Sequence, residues 1–87
     1  MRAENEKSPQ DIIRDYIMEN INMQELDDDF DIFDAGIVSS LFAIELMTFL
    51  ERTFGIKVTM DDLDMENFKT VNSTSRFVQR KKEVASV

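Results

Sequence analysis

From Ser40 to Phe54 the apolar side chains recur with the period of an α-helix, and no other feature of the chain restricts its fold so far. Advancing about 100° per residue from Ser40, Ala43, Leu46, Met47, Leu50 and Phe54 share one arc and are expected to face a core. Glu45, Thr48, Glu51 and Arg52 take the opposite arc. Gly55 follows, and glycine accepts the left-handed backbone with which helices commonly end. Leu41 and Ile44 depart from the pattern, because they lie in the wet arc beside Ser40, where packing gives an apolar pair no purpose. Phe42 and Phe49 sit at the far border of that arc and are expected to bury against the preceding loop.

Further helices follow from the same reasoning. Ser8-Pro9-Gln10-Asp11 has the form of a helix start, with a hydroxyl cap, proline in the first turn and an acid behind it. Ile12, Ile13, Tyr16, Ile17 and Ile21 then mark one face of a helix over about residues 9–22. From Asn22 to Ser39 the period stops. Asp27, Asp28, Asp29, Asp31 and Asp34 alternate with Phe30, Ile32, Phe33 and Ile37, a long loop expected to be pinned by its aromatics. Loops of that length inside a compact domain usually carry function, and Gly36 permits a sharp bend before the next helix. After an extended link at Ile56-Lys57-Val58, residues 61–66 predict a brief third helix with acids in its first turn. A fourth is expected over about residues 71–82, capped by Thr70, with Val71, Ser75, Phe77 and Val78 inward. With two Gly and one Pro among 87 residues, the fold class is all-α: a four-helix bundle with a long first loop and a short third helix. One domain spans residues 1–87, with 1–7 and 83–87 expected to be flexible.

Composition excludes several kinds of chemistry. The chain has neither Cys nor His, so it lacks the commonest general base, the usual activator of nucleophiles and the thiolate and imidazole metal ligands. Asp27-x-Asp29-x-Asp31 matches the opening of a calcium loop, but Ile32 stands where glycine is needed and Val38 where the bidentate glutamate belongs, so no metal site is expected. A formal charge of −8 opposes nucleic-acid binding, which needs clustered cations. Arg80-Lys81-Lys82, the one basic cluster, suits the negative end of the last helix. No apolar leader precedes Ser8, and the stretch Leu41 to Leu50 is broken by Glu45 and too short to span a membrane. A cytoplasmic monomer that catalyses nothing itself is the expectation.

The segment Phe33-Asp34-Ala35-Gly36-Ile37-Val38-Ser39-Ser40-Leu41-Phe42-Ala43-Ile44-Glu45-Leu46, running on to Phe54-Gly55-Ile56, resembles the acyl and peptidyl carrier proteins. In that family an acidic loop ends in a serine at the start of the second helix, followed by Leu and, five positions after the serine, often Glu. The resemblance covers about residues 9–81. It implies 4′-phosphopantetheine attached to Ser40 by a transferase that uses coenzyme A, with cargo held as a thioester on the arm. The physical setting agrees, since unpaired N–H groups and the dipole at a helix start favour a phosphodiester anion. Leu41, Ile44, Glu45, Thr48 and Glu51 fall where partner enzymes of the family dock: the transferase, an acyl-loading enzyme and a downstream synthase or acyltransferase. Two departures stand out. Ser39 replaces the Asp that usually precedes the modified serine, and the doubled serine leaves Ser39 as a second candidate, although Leu at +1 and Glu at +5 favour Ser40. Because the chain begins and ends near the domain edges, a discrete carrier for polyketide or nonribosomal-peptide antibiotic biosynthesis is expected, of the kind bearing unusual malonyl-type extenders. A D-alanyl carrier for cell-wall polymers and an unmodified helical interaction module are the alternatives.

Overall fold

A computed structural model describes residues 7–85, with side chains described as far as Glu83. Helix α1 spans Pro9–Ile21, α2 Ser40–Phe54, α3 Met65–Phe68 and α4 Val71–Ala85, and no strand occurs among the described residues. Each helix starts where a side chain can replace missing backbone acceptors. Ser8 Oγ accepts from Asp11 N at 3.2 Å, with Pro9 in the first turn behind it. Thr70 and Ser73 cap each other, Ser73 N donating to Thr70 Oγ1 at 2.9 Å and Thr70 N to Ser73 Oγ at 3.1 Å. Ends are equally well defined: α1 closes on Asn22 and α2 on Gly55, both in the left-handed region at φ 59° and 67°.

Ile13 and Ile17 of α1, Phe42, Leu46 and Leu50 of α2, and Val71, Phe77 and Val78 of α4 meet in one cluster, closed by Phe68 at the end of α3. Phe68 and Phe77 pack edge to face with centroids 5.1 Å apart. Thr74, which the hydrophobic pattern passed over, is fully buried, and its hydroxyl donates to Thr70 O at 2.8 Å, so the burial leaves no polar atom unmatched.

Four expectations need correction. The long loop is pinned by aliphatics, with Ile32 fully buried and Leu26 nearly so, while Phe30 faces solvent and Phe33 is only half-buried. Phe42 and Phe49 do pack away from water, but against Tyr16 of α1, with Tyr16 and Phe49 rings stacked 3.9 Å apart. The third element is a 3-10 turn at Met60–Asp62 and then α3, rather than one helix over 61–66. The split has a local cause: Asp62 turns its carboxylate back to Thr59 N at 2.9 Å and Asp64 accepts from Glu66 N at 3.0 Å, so each acid starts its own turn. Finally, α4 continues to Ala85 rather than ending at Lys82. Flexibility was expected at both termini; residues 1–6, 86 and 87 lie outside the described residues, and Lys7 pairs with Asp15 at 2.6 Å.

The loop over residues 22–39 is fixed at both flanks. Arg14 forks onto Asp28, Nε to Oδ1 at 2.7 Å and a terminal nitrogen to Oδ2 at 2.9 Å, and also reaches Asp11. On the other side Ile32 N donates to Lys69 O and Asn72 N to Asp28 O, each at 2.9 Å. Asp27 and Asp31, the would-be calcium ligands, instead accept backbone N–H groups of the loop itself, Asp31 Oδ1 taking Phe33 N and Asp34 N. No cluster able to hold a metal ion occurs among the described residues. The basic triplet is also in use, with Lys81 paired to Asp62 at 2.8 Å and Arg80 donating to Asn67. No described helix is long and apolar enough to cross a membrane.

Truncating the loop's plug by Ile32→Ala should cost about 2–5 kcal/mol, the usual range for emptying a buried aliphatic site, measured by urea denaturation. Asp28→Asn should cost about 0.5–1 kcal/mol at neutral pH, because a partly exposed pair is weakened by solvent. The Arg14 hydrogen bond, against the opposing effect of burial, holds the Asp28 carboxyl below its ordinary value of 3.8. Its contribution is therefore complete above that value and is lost as pH falls through the lower folded one. The stability gap between wild type and Asp28→Asn should close on acidification below pH 3.8.

Candidate functional site

The loop delivers the chain to α2 through Gly36, whose φ of 74° lies in the region glycine adopts at no steric cost. At the helix mouth the two adjacent serines have different tasks. Ser39, with extended backbone, is the N-cap: its hydroxyl accepts from Phe42 N at 3.4 Å. Ser40 is the first helical residue and is exposed, and its hydroxyl has no hydrogen-bond partner among the described residues. The first turn holds no acid, so the positive end of the helix dipole meets solvent beside that hydroxyl.

One turn on, Leu41 and Ile44 are 63% and 58% exposed, open to a partner rather than packed. Glu45 and Thr48 are exposed beside them, the Thr48 hydroxyl bonding back to Ile44 O. Glu51 stands apart from this group. It is half-buried and accepts from Val58 N at 2.8 Å, which holds the link after α2 in place.

Ile44 and Thr48 form a ridge descending from Ser40, with a groove on each side. Toward α1 a groove of about 520 Å³ is lined by Tyr16, Glu45, Phe49 and Arg52 as well as the ridge. Toward the 3-10 turn a groove of about 390 Å³ is walled by Met47, Val58, Met60 and Leu63. Sequence reasoning missed Met60, Leu63 and Met65, which are 84%, 51% and 47% exposed, the first two sharing a groove with Ile44. Their signal was available: three large apolar side chains within a run of acids too short to bury them.

A family model described as a phosphopantetheine attachment site matches residues 11–78. The chain belongs to that family. This carrier is also similar to proteins named D-alanyl carrier protein. The one from Streptococcus uberis is 42% identical over 52 residues, 58% of this chain and 66% of the relative. That from Lactococcus lactis subsp. lactis is 39% identical over 55 residues, 63% and 70% of the two chains. A Streptococcus pyogenes serotype M5 relative is 39% identical over 51 residues, 59% and 65%. The carrier thus spans about two thirds of these relatives' length. Its cofactor is a covalently attached 4′-phosphopantetheine, and as a carrier it is not a catalyst. The chain's chemistry suits the group, because a tethering hydroxyl must be accessible, uncommitted and tolerant of an anion, and the Ser40 hydroxyl meets all three conditions.

The division between the serines can be measured on the unmodified protein. Ser39→Ala should lower stability by about 0.5–1 kcal/mol, toward the low end for a lost N-cap because the bond is long. Ser40→Ala should stay within about 0.5 kcal/mol of wild type, as for an exposed residue without partners. Thermal and urea denaturation of both variants give the comparison.

Proposed function

We propose that Ser40 bears the phosphopantetheine arm and that the protein carries a small aminoacyl unit, D-alanine, as a thioester between a loading enzyme and an acceptor. The observation that supports this most is the free, exposed Ser40 hydroxyl next to a neighbouring serine already committed to capping. The names of the relatives from Streptococcus and Lactococcus favour D-alanine as cargo over the malonyl-type extender units to which the Phe33–Leu41 segment also bears likeness. Polyketide or nonribosomal-peptide synthesis is therefore the second reading.

When attached, the arm supplies a terminal thiol for thioester formation. The chain's own residues do the rest of the work. Ser40 provides the oxygen for the phosphodiester, and the unpaired N–H groups of the first helical turn stabilise that anion without a metal. Leu41 and Ile44, with Glu45 and Thr48 beside them, present an apolar spot in an acidic setting. Such a surface suits brief docking of a transferase or loading enzyme with basic residues around an apolar recess, and the net charge of −8 speeds the encounter. Glu51 contributes charge to the rim but is held by Val58.

Incubation with coenzyme A and a broad-specificity phosphopantetheinyl transferase should add the mass of one phosphopantetheinyl group to the intact protein. Ser40→Ala should abolish the gain and Ser39→Ala should keep it. Modification that follows Ser39 instead would reverse the assignment, and a wild type unmodified by several transferases would leave a helical interaction module. Recovery of the thioester from native cells, released by hydroxylamine and analysed by chiral chromatography, should yield D-alanine hydroxamate; a malonyl-type hydroxamate would establish the second reading.

A further inference from the structure

The two grooves flanking the Ile44–Thr48 ridge differ in how their charges are used. In the groove toward the 3-10 turn the carboxylate of Glu51 already accepts from Val58 N, and Asp62 just beyond is held by Thr59 and Lys81. The remaining wall is mostly aliphatic, with Thr48 and Thr59 as neutral polar groups and Lys57 as a cation, and it holds no aromatic ring. On the α1 side Glu45 is exposed, and its carboxylate has no hydrogen-bond or ion-pair partner among the described residues, although its charge is felt at the Tyr16 phenol. Below it Tyr16 and Phe49 stack with rings 15° from parallel. The Tyr16 hydroxyl is 3.4 Å from Glu45 O, long for a bond between oxygens, so this phenol keeps most of its hydrogen-bonding capacity. Arg52 lies two helical turns beyond Glu45, at the far end of the groove from Ser40.

We propose that the groove between α1 and α2 is the resting site of the carrier's own aminoacyl cargo, its ammonium held between the Glu45 carboxylate and the aromatic surface of Tyr16 and Phe49. This rests on the reading of Ser40 as the point of attachment and of the cargo as an α-amino acid. The distance is suitable. Glu45 follows Ser40 by five residues, about 7–8 Å along the helix at 1.5 Å per residue, so an arm from Ser40 can fold back along the ridge and lay its end in the groove. An ammonium over an aromatic face gains electrostatic attraction from the ring, and a carboxylate at the same place adds to it. In the opposite groove the same ammonium meets Lys57 and a glutamate already engaged. Each groove holds one carboxylate and one cation, and the α1 side is set apart by a carboxylate without a hydrogen bond above an aromatic wall, with Arg52 at the end away from Ser40, so it favours a positively charged cargo close to Glu45. Docking there also shields the thioester from water until a partner enzyme draws the arm out.

The test uses the full chain carrying phosphopantetheine analogues with an amide in place of the thioester, transferred enzymatically and verified by intact mass. One arm ends in D-alanyl and the other in propionyl, which has the same shape without the amine. In two-dimensional amide NMR spectra the D-alanyl arm should displace the signals of Tyr16, Glu45, Phe49 and Arg52 relative to the unacylated holo protein. The propionyl arm should move them several-fold less, and Glu45→Gln should remove most of the difference. Equal displacements by both arms, or displacements confined to Met47, Val58, Met60 and Leu63, or to the neighbours of Ser40, would overturn the proposal while leaving the carrier reading intact. Absence of any mass gain would overturn the carrier reading and the groove assignment together. A native cargo without an amine would overturn the assignment in its biological sense, even where the D-alanyl arm docks.

Discussion

The architecture depends on how residues 22–39 are held, because that segment positions the mouth of α2 and has no repeating hydrogen bonds of its own. Two kinds of anchor do this. Ile32 drives its side chain into the core while its N–H closes on Lys69 O, so hydrophobic burial and polar satisfaction occur at one residue. Arg14 grips Asp28 with two nitrogens, and Asn72 N binds the Asp28 carbonyl, so a single loop residue joins α1 to the start of α4. Between these anchors Asp31 makes a turn by accepting from Phe33 N and Asp34 N, and Asp29 accepts from the Asn72 side chain of α4. An acidic loop is therefore kept in one shape by hydrogen bonds to its own carboxylates, with Arg14 the cation set against Asp28.

With the loop fixed, the chain enters α2 in a register that separates capping from chemistry. A helix start needs an acceptor for its free N–H groups, and a single serine at this place would spend its hydroxyl on that need. The doubled serine resolves the conflict, as Ser39 takes the capping bond and Ser40 is left with a hydroxyl facing water. The ridge below Ser40 then divides two grooves whose walls come from different parts of the fold, α1 on one side and the segment from Lys57 to Leu63 on the other. The surface below Ser40 is thus assembled from elements far apart in sequence.

That origin decides what could be read in advance. The helices were legible because their signals are local: Ser8-Pro9 for the first start, the apolar period of Ala43, Leu46 and Leu50, Gly55 for the stop and Thr70 for the last cap. The exposure of Leu41 and Ile44 was equally legible, since apolar residues on a wet arc conflict with packing. Pairings across the chain were not. Nothing local says that Tyr16 will stack on Phe49, that Glu51 will turn to Val58 N, or that Ile32 rather than Phe30 will plug the loop. The split of the third element was missed because Thr59, Asp62 and Asp64 are all good starters, and only the backbone shows that two of the starts are used in sequence.

The same local view bears on the residue that sets this chain apart from the usual carrier pattern. An aspartate before the tethering serine would place a fixed negative charge at the head of α2, offsetting the helix dipole whether or not the arm is attached. Here Ser39 caps without charge, and no acid occupies the first turn. The positive end of the dipole is consequently uncompensated by any first-turn acid, and an anion there, such as the phosphodiester proposed for Ser40, is worth about 0.3–1 kcal/mol to an exposed helix terminus. In a chain with net charge −8, a further negative charge is favourable only where a local field of this kind outweighs the general repulsion. On the proposed attachment at Ser40, serine in place of aspartate would transfer part of the helix's stability from the sequence to the modification, and the arm would complete the second helix as well as carry cargo.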